Sequence, residues 1–281
     1  MKDTHNSPHT LTSSPRGRGG ISFFLKLFVF LVLIVIVVLF VRRESQVEKT
    51  AFIMGTPVRI KAQGKKAEVA IDQALAEMKR LEGMFDWKNP ESAINNIHPY
   101  DNLPEIKDIL DLSEKVKKLS QGAFDIQFNG QLNLGGIGKG YAVEKARQLL
   151  VQKGIKNGII DMRSSIAVIG SGWNIGVLDP RTKETKYFFK QIILNDGEAL
   201  ATSGQYERAG HIVDPRTGKP ADKCLSVTVV AQDAGVADAL STAVFVLGPK
   251  AGQKLVEKLG CKALIVDING KVYDNFSSKL R

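Results

Sequence analysis

The sequence predicts an α+β fold, with mainly antiparallel sheets flanked by helices and one N-terminal transmembrane helix ahead of them. Strand and helix patterns are mixed along the chain in no strict βαβ order, which argues for α+β over α/β. The middle of the chain is a series of short Ile- and Val-rich runs separated by turn residues, the pattern of antiparallel strands. Residues 21–41 are almost continuously apolar, interrupted only by Ser22 and Lys26. At roughly 1.5 Å of rise per residue such a run spans a bilayer core.

Residues 1–20 are rich in Ser, Thr, Pro, Gly and Arg without apolar periodicity and read as a disordered tail. The apolar run then ends directly in Arg42-Arg43-Glu44, with no small-residue cleavage site, so residues 21–43 are expected to be an uncleaved signal anchor. No cysteine lies near the run, which excludes a lipoprotein. Lys2, Arg16, Arg18 and Lys26 on one side oppose Arg42, Arg43 and Lys49 on the other, so the positive-inside rule does not orient it. Residues 50–281 are long enough for one sizeable domain with its own core.

Within that domain, residues 50–62 alternate apolar and polar side chains around Met54-Gly55-Thr56 and read as a strand with a glycine interruption. Ile71, Leu75, Met78, Leu81 and Phe85 recur at helical spacing. Pro104 opens a second helix whose inward residues are Ile106, Ile109, Leu110, Leu112 and Val116. A third helix covers residues 143–151. Strands follow at 158–169, 173–178, 187–194, 199–203 and 225–231. Helices at 235–247 and 250–259 precede a last hairpin, 263–267 with 271–273, around Asn269-Gly270. Asp-Pro-Arg-Thr occurs at 179 and again at 214, which fits either related hairpins or a recurring turn chemistry.

The net charge is +10, and the first 49 residues hold seven basic and three acidic side chains, leaving about +6 for the domain. The basic residues are scattered, without interleaved aromatics, which argues against a nucleic-acid interface. A polyanionic small ligand or an anionic membrane surface remains compatible. Cys224 and Cys261 have no metal-ligand spacing and read as small buried hydrophobes.

Chemistry concentrates at Leu134-Gly135-Gly136-Ile137-Gly138-Lys139-Gly140-Tyr141-Ala142. Glycines at a helix start let backbone approach a ligand, and the free N–H groups there favour an anion. Lys139 is followed by Gly140 instead of Ser or Thr, and Gly136-x-Gly138 leads to Tyr141, so neither a Walker loop nor a dinucleotide fingerprint fits. A phosphate or metal site and a tight turn without ligand both remain. Of the four histidines, His5 and His9 lie in the tail and His98 precedes Pro99, whereas His211 stands between a strand and a polar turn. It is a candidate general base, or a structural histidine. Asp238 and Thr242, four apart on one helix face, suit a hard cation such as magnesium, or a helix-dipole acid with a packed threonine. Gly122 in Gln121-Gly122-Ala123-Phe124-Asp125 is a helix C-cap candidate.

Taken in order, Met54-Gly55-Thr56, Gly122-Ala123-Phe124-Asp125, residues 134–142, 201–206, 211–218 and Ala237 to Thr242 closely resemble the ApbE family of FAD:protein FMN transferases. The resemblance implies an extracytoplasmic enzyme that splits FAD, transfers FMN through its phosphate to a Ser or Thr hydroxyl of a target protein and releases AMP. The implied partner is an acceptor of an electron-transfer system carrying a short Ser/Thr motif. Asp238, Thr242, the Gly136 carbonyl and Ser241 match the family's magnesium ligands, and His211 the residue assisting proton removal. For FAD, the pattern points to Met54, Trp87, Ala123, Phe124, Asp125, Asn133, Lys139 and the backbone around Val213.

Three departures stand out. Asn133 replaces the usual Asp; Asp161-Met162-Arg163-Ser164-Ser165 replaces the usual Asn-x-Gly-Gly-Asp; and the link to the glycine stretch is only residues 126–132, shorter than in most members. The first two change side chains beside the expected flavin cleft. An FAD pyrophosphatase giving FMN and AMP, or a flavin-binding protein without turnover, are the alternative functions.

Overall fold

A computed structural model describes residues 25–33, 46–96, 103–128, 130–182, 188–204 and 210–276. Residues 25–33 are helical, with exposed apolar side chains such as Phe28 and Phe30. Among the described residues no helix is long and apolar enough to cross a membrane. The expected tail and the remainder of the expected anchor lie outside the described residues.

Residues 45–281 form one compact unit. Its centre is an eight-stranded sheet in which every neighbouring pair is antiparallel. In chain order its strands are β1 (Gln46–Ile53), β2 (Thr56–Gln63), β5 (Asn157–Asp161), β6 (Ser165–Ile169), β9 (Ala199–Gly204), β12 (Cys224–Ala231), β13 (Lys262–Asp267) and β14 (Val272–Asp274), and they lie in that same spatial order. Three two-stranded ribbons complete the set: β3 (Gln127–Phe128) with β4 (Gln131–Leu132), β7 (Trp173–Leu178) with β8 (Phe188–Leu194), and β10 (Val213–Asp214) with β11 (Lys219–Pro220). The helices are α1 (Ala67–Met84), α2 (Pro104–Leu119), α3 (Gly138–Gln152), α4 (Ala234–Leu247) and α5 (Pro249–Lys258).

Burial follows the sequence pattern. Edge strand β1 and its neighbour β2 alternate more and less exposed positions, whereas central β6 is buried throughout, which is why its apolar run does not alternate. Helix α1 turns Ile71, Met78 and Leu81 into the main core, with Leu75 at its edge. Helix α2, opened by Pro104, buries Ile106, Ile109 and Val116, while Leu110 and Leu112 reach only its margin. A second core fills the other sheet face, where Ile159, Ile166, Val168 and Leu200 meet Ile175, Val177, Ile192 and Leu194 of the β7–β8 ribbon.

The expected interrupted strand at 50–62 is instead a hairpin. Met54 adopts φ 51° and Gly55 φ 71°, so these two residues make the turn. The expected strand at 158–169 likewise divides at Met162-Arg163-Ser164. Both Asp-Pro-Arg-Thr segments fold alike: Asp179 and Asp214 each accept the N–H two residues on, at 3.0 Å, and each pairs with that arginine's guanidinium. One segment follows β7 and the other joins β10 to β11. Cys224 is buried, Cys261 half-buried, and both are free thiols; burial pushes Cys224 up to about 12.

Candidate active site

Helices α3 and α4 meet at their first turns, and the contact requires glycine. A Cβ on Gly140 would lie 2.3 Å from the Ala234 carbonyl oxygen and 2.5 Å from Asp238 Cβ. The close approach lets the Gly140 N–H, one of the donors a helix start leaves unpaired, donate to Asp238 Oδ2 at 2.8 Å. Glu144 returns the contact, accepting the Ala234 N–H at 3.2 Å while paired with Arg147 at 2.6 Å. Gly140 therefore serves helix packing, and the anion at this N–H is the protein's own carboxylate.

Asp238 is 4% exposed. Burial raises its proton affinity above the ordinary carboxylate range, against the opposing influence of the Lys139 charge, the Gly140 N–H and the Ser165 hydroxyl. Ser165 is fully buried and favours the Asp238 charge, yet its oxygen stands beyond hydrogen-bond length of any described partner. Among the described residues Ser165 Oγ is the one buried side-chain oxygen without a hydrogen-bond partner.

Ser203 Oγ lies 2.8 Å from Ser241 Oγ and 3.1 Å from Thr242 Oγ1, and Thr202 Oγ1 lies 2.9 Å from Thr228 Oγ1. Gly136 packs on the same spot, since a Cβ there would be 3.0 Å from Thr242 Oγ1 and 3.2 Å from Phe124 Cε2. Gly136, Asp238 and Thr242 thus converge on one oxygen-rich corner, a donor set suited to a hard cation. Among the described residues Asp238 is its only acid, and no three His, Cys, Asp or Glu side chains gather as a metal cluster. Ser241 is fully buried and is not among the residues lining the cleft; it donates to the Asp238 carbonyl at 2.8 Å and lies 2.8 Å from Ser203 Oγ.

The corner opens into a cleft of about 1300 Å³ that also holds most of the flavin candidates. Met54 enters from the β1–β2 turn, its N–H donating to Glu82 Oε1 at 2.6 Å. Half-buried Trp87 follows α1; Asn95 Nδ2 holds its carbonyl at 3.0 Å, and the Lys88 ammonium lies 5.3 Å from its ring centroid. Ala123 and Phe124 are buried in the wall, and Asp125 pairs with Lys117 at 2.7 Å, which raises the lysine's proton affinity. The short 126–132 link closes as the β3–β4 hairpin, with the Asn133 N–H on the Ile126 carbonyl at 2.6 Å. Asn133 then accepts the Gly135 N–H at 2.9 Å, so its side-chain oxygen shapes the glycine turn while lining the cleft. Exposed His211 and half-buried Val213 stand on the wall formed by the β10–β11 segment.

Glu82 is a site residue that no sequence pattern singled out, because it acts on Met54 from another element. Ser164 and Ser165 stood out only as a departure from the family pattern, and Ser203 only through its place in residues 201–206.

The chain matches the family model described as the ApbE family over residues 54–130 and 127–265. The FAD:protein FMN transferase of Escherichia coli (strain K12) is 29% identical over 161 residues, covering 52% of this chain and 45% of that protein. The FAD:protein FMN transferase of Rhodobacter capsulatus is 31% identical over 147 residues, covering 48% of this chain and 28% of that protein. The match thus spans less than half the length of either relative. In structure, the ApbE protein of Thermotoga maritima superposes with a TM-score of 0.73 at 29% identity, covering 84% of this chain and 99% of that one. The antiparallel sheet, the paired helix starts at Gly140 and Asp238 and the matched family model together place this chain in the ApbE family.

Proposed function

We propose that this chain is a magnesium-dependent FAD:protein FMN transferase, held at the cell membrane by residues 21–43 with its catalytic domain extracytoplasmic. The observation that carries the reading is the buried Asp238 carboxylate, fixed by the Gly140 N–H beside Thr242 and Gly136 on the wall of a cleft large enough for a dinucleotide. Family membership and relatives named FAD:protein FMN transferase support it.

Asp238, Thr242 and the Gly136 backbone would hold the cation, with Ser203 contacting the Thr242 hydroxyl and Ser241 contacting Ser203 in turn. A magnesium ion held there would supply positive charge to offset the charge that develops on the diphosphate oxygens. Lys139 meets phosphate oxygens, and Met54, Trp87 and Phe124 provide apolar surface for the flat ring. His211 takes the proton of the acceptor's Ser or Thr hydroxyl; that oxygen bonds to the FMN phosphorus, and AMP leaves. The acceptor is a protein of an electron-transfer system.

The test is incubation of the full chain, solubilised in detergent, with FAD, magnesium and a candidate acceptor. The expected products are AMP and an acceptor carrying covalent flavin fluorescence. AMP with free FMN alone would identify a pyrophosphatase, and bound FAD without AMP would contradict both enzyme readings.

A further inference from the structure

Ser164 and Lys139 face each other on the cleft wall, and their hydrogen bond ties the β5–β6 turn to the first turn of α3, a helix that also packs on β5 and β6. Lys139 is the second residue of α3, with four rotatable side-chain bonds and an ammonium strongly hydrated when free. Its Nζ donates to Ser164 Oγ at 2.5 Å. Both residues line the cleft.

The serine is held far more rigidly than the lysine. Its N–H donates to the Met162 carbonyl at 2.8 Å, and its own carbonyl accepts the Thr202 N–H at 2.8 Å. The preceding Arg163 adopts φ 60°, with its N–H on Asp161 Oδ1 at 2.8 Å, and Asp161 is in turn fixed by Arg59 at 2.9 Å. Thr202 adjoins Ser203, whose hydroxyl touches Thr242. The turn between β5 and β6 is therefore clamped to the same floor that carries the cation candidates.

We propose that Ser164 is a positioning residue, whose hydroxyl pins the Lys139 ammonium against the cleft wall so that it is already placed for the diphosphate of the dinucleotide. The assignment rests on the transferase reading for the identity of that ligand. Without Ser164, Lys139 samples several rotamers and must be ordered each time FAD binds, which lowers affinity without altering the reacting groups. Because the serine acts through the lysine, its contribution disappears when the lysine is absent.

The test is FAD binding to the full chain in detergent with magnesium, followed by flavin fluorescence. Ser164→Ala is expected to raise the FAD dissociation constant about 3- to 10-fold with an unchanged melting temperature. Ser164→Thr, which keeps the hydroxyl, is expected to bind like wild type. In a Lys139→Met background, Ser164→Ala is expected to add nothing. Ser164→Cys, with the size but a weak hydrogen bond, gives a second reading should the alanine variant lose its melting transition. An alanine variant that binds as tightly as wild type overturns the assignment, and so does an equal loss in the Lys139→Met background, which marks a structural role. Wild-type protein that binds no FAD overturns the transferase reading itself and the assignment with it.

Discussion

Asp238 Oδ2 accepts the Gly140 N–H at 2.8 Å, so the first turn of one helix is capped by a buried carboxylate from the second turn of another, 98 residues on. The geometry joins stability and chemistry in a single group. It fixes the carboxylate's direction without neutralising its charge.

The first consequence concerns Asp238→Asn. Burial raises the folded-state proton affinity of Asp238 above its unfolded value, so above about pH 4 the folded protein binds protons that the unfolded chain releases. Stability contributed by this group is therefore present below the ordinary carboxylate range and is lost as the pH rises through the raised folded-state value, and a bound cation offsets the loss. At pH 7 without magnesium, Asp238→Asn should melt no lower than wild type, while magnesium should raise the melting temperature of wild type only. AMP release from FAD should fall about 10²-fold or more in the variant. Calorimetry and an AMP assay check the two halves.

The glycines separate by role. At Gly140 an alanine Cβ meets the Ala234 carbonyl and Asp238 Cβ at distances no backbone shift absorbs cheaply, so the helices must part. We expect Gly140→Ala to cost about 1–3 kcal/mol in urea unfolding, despite alanine's better helix propensity. Gly136→Ala meets Thr242 Oγ1 at 3.0 Å, a contact small adjustments relieve. That variant should stay folded and lose turnover.

His211 is exposed and lines the same cleft as Asp238 and Thr242, so the proposed base role is open to direct test. His211→Ala should lower kcat about 10²-fold or more and leave the FAD dissociation constant unchanged. Equilibrium binding beside single-turnover kinetics distinguishes this from a cofactor-holding histidine, for which binding would collapse.

Arg163 at φ 60° sits where glycine is the unstrained residue. Arg163→Gly should raise stability by about 0.5–1 kcal/mol, the relief of the left-handed backbone exceeding the entropy glycine adds to the unfolded chain. Denaturant midpoints at constant slope check it.

Much of the fold was legible because local patterns dictate it. Ile71, Met78 and Leu81 mark the buried face of α1, Pro104 marks the start of α2, and Asn269-Gly270 marks the last turn. The β1–β2 hairpin was not, because apolar alternation runs on through Met54, a non-glycine residue at positive φ whose N–H is held by Glu82 from another element. Gly140 looked like a ligand contact because its true neighbour, Ala234, is 94 positions away. For the same reason sequence reasoning placed Asp238 and Thr242 on one helix face but not Ser203 against Thr242, or Ser164 against Lys139. These contacts are set by how the sheet seats its helices, which no spacing within one segment encodes.

The most direct test of the central claim, that the Asp238 corner is a metal site for splitting FAD, is AMP release from FAD by the full chain as magnesium is titrated, with Asp238→Asn in parallel. Saturable, magnesium-dependent AMP release in wild type and none in the variant is the predicted result. AMP release that ignores magnesium, or survives in Asp238→Asn at the wild-type rate, would contradict it.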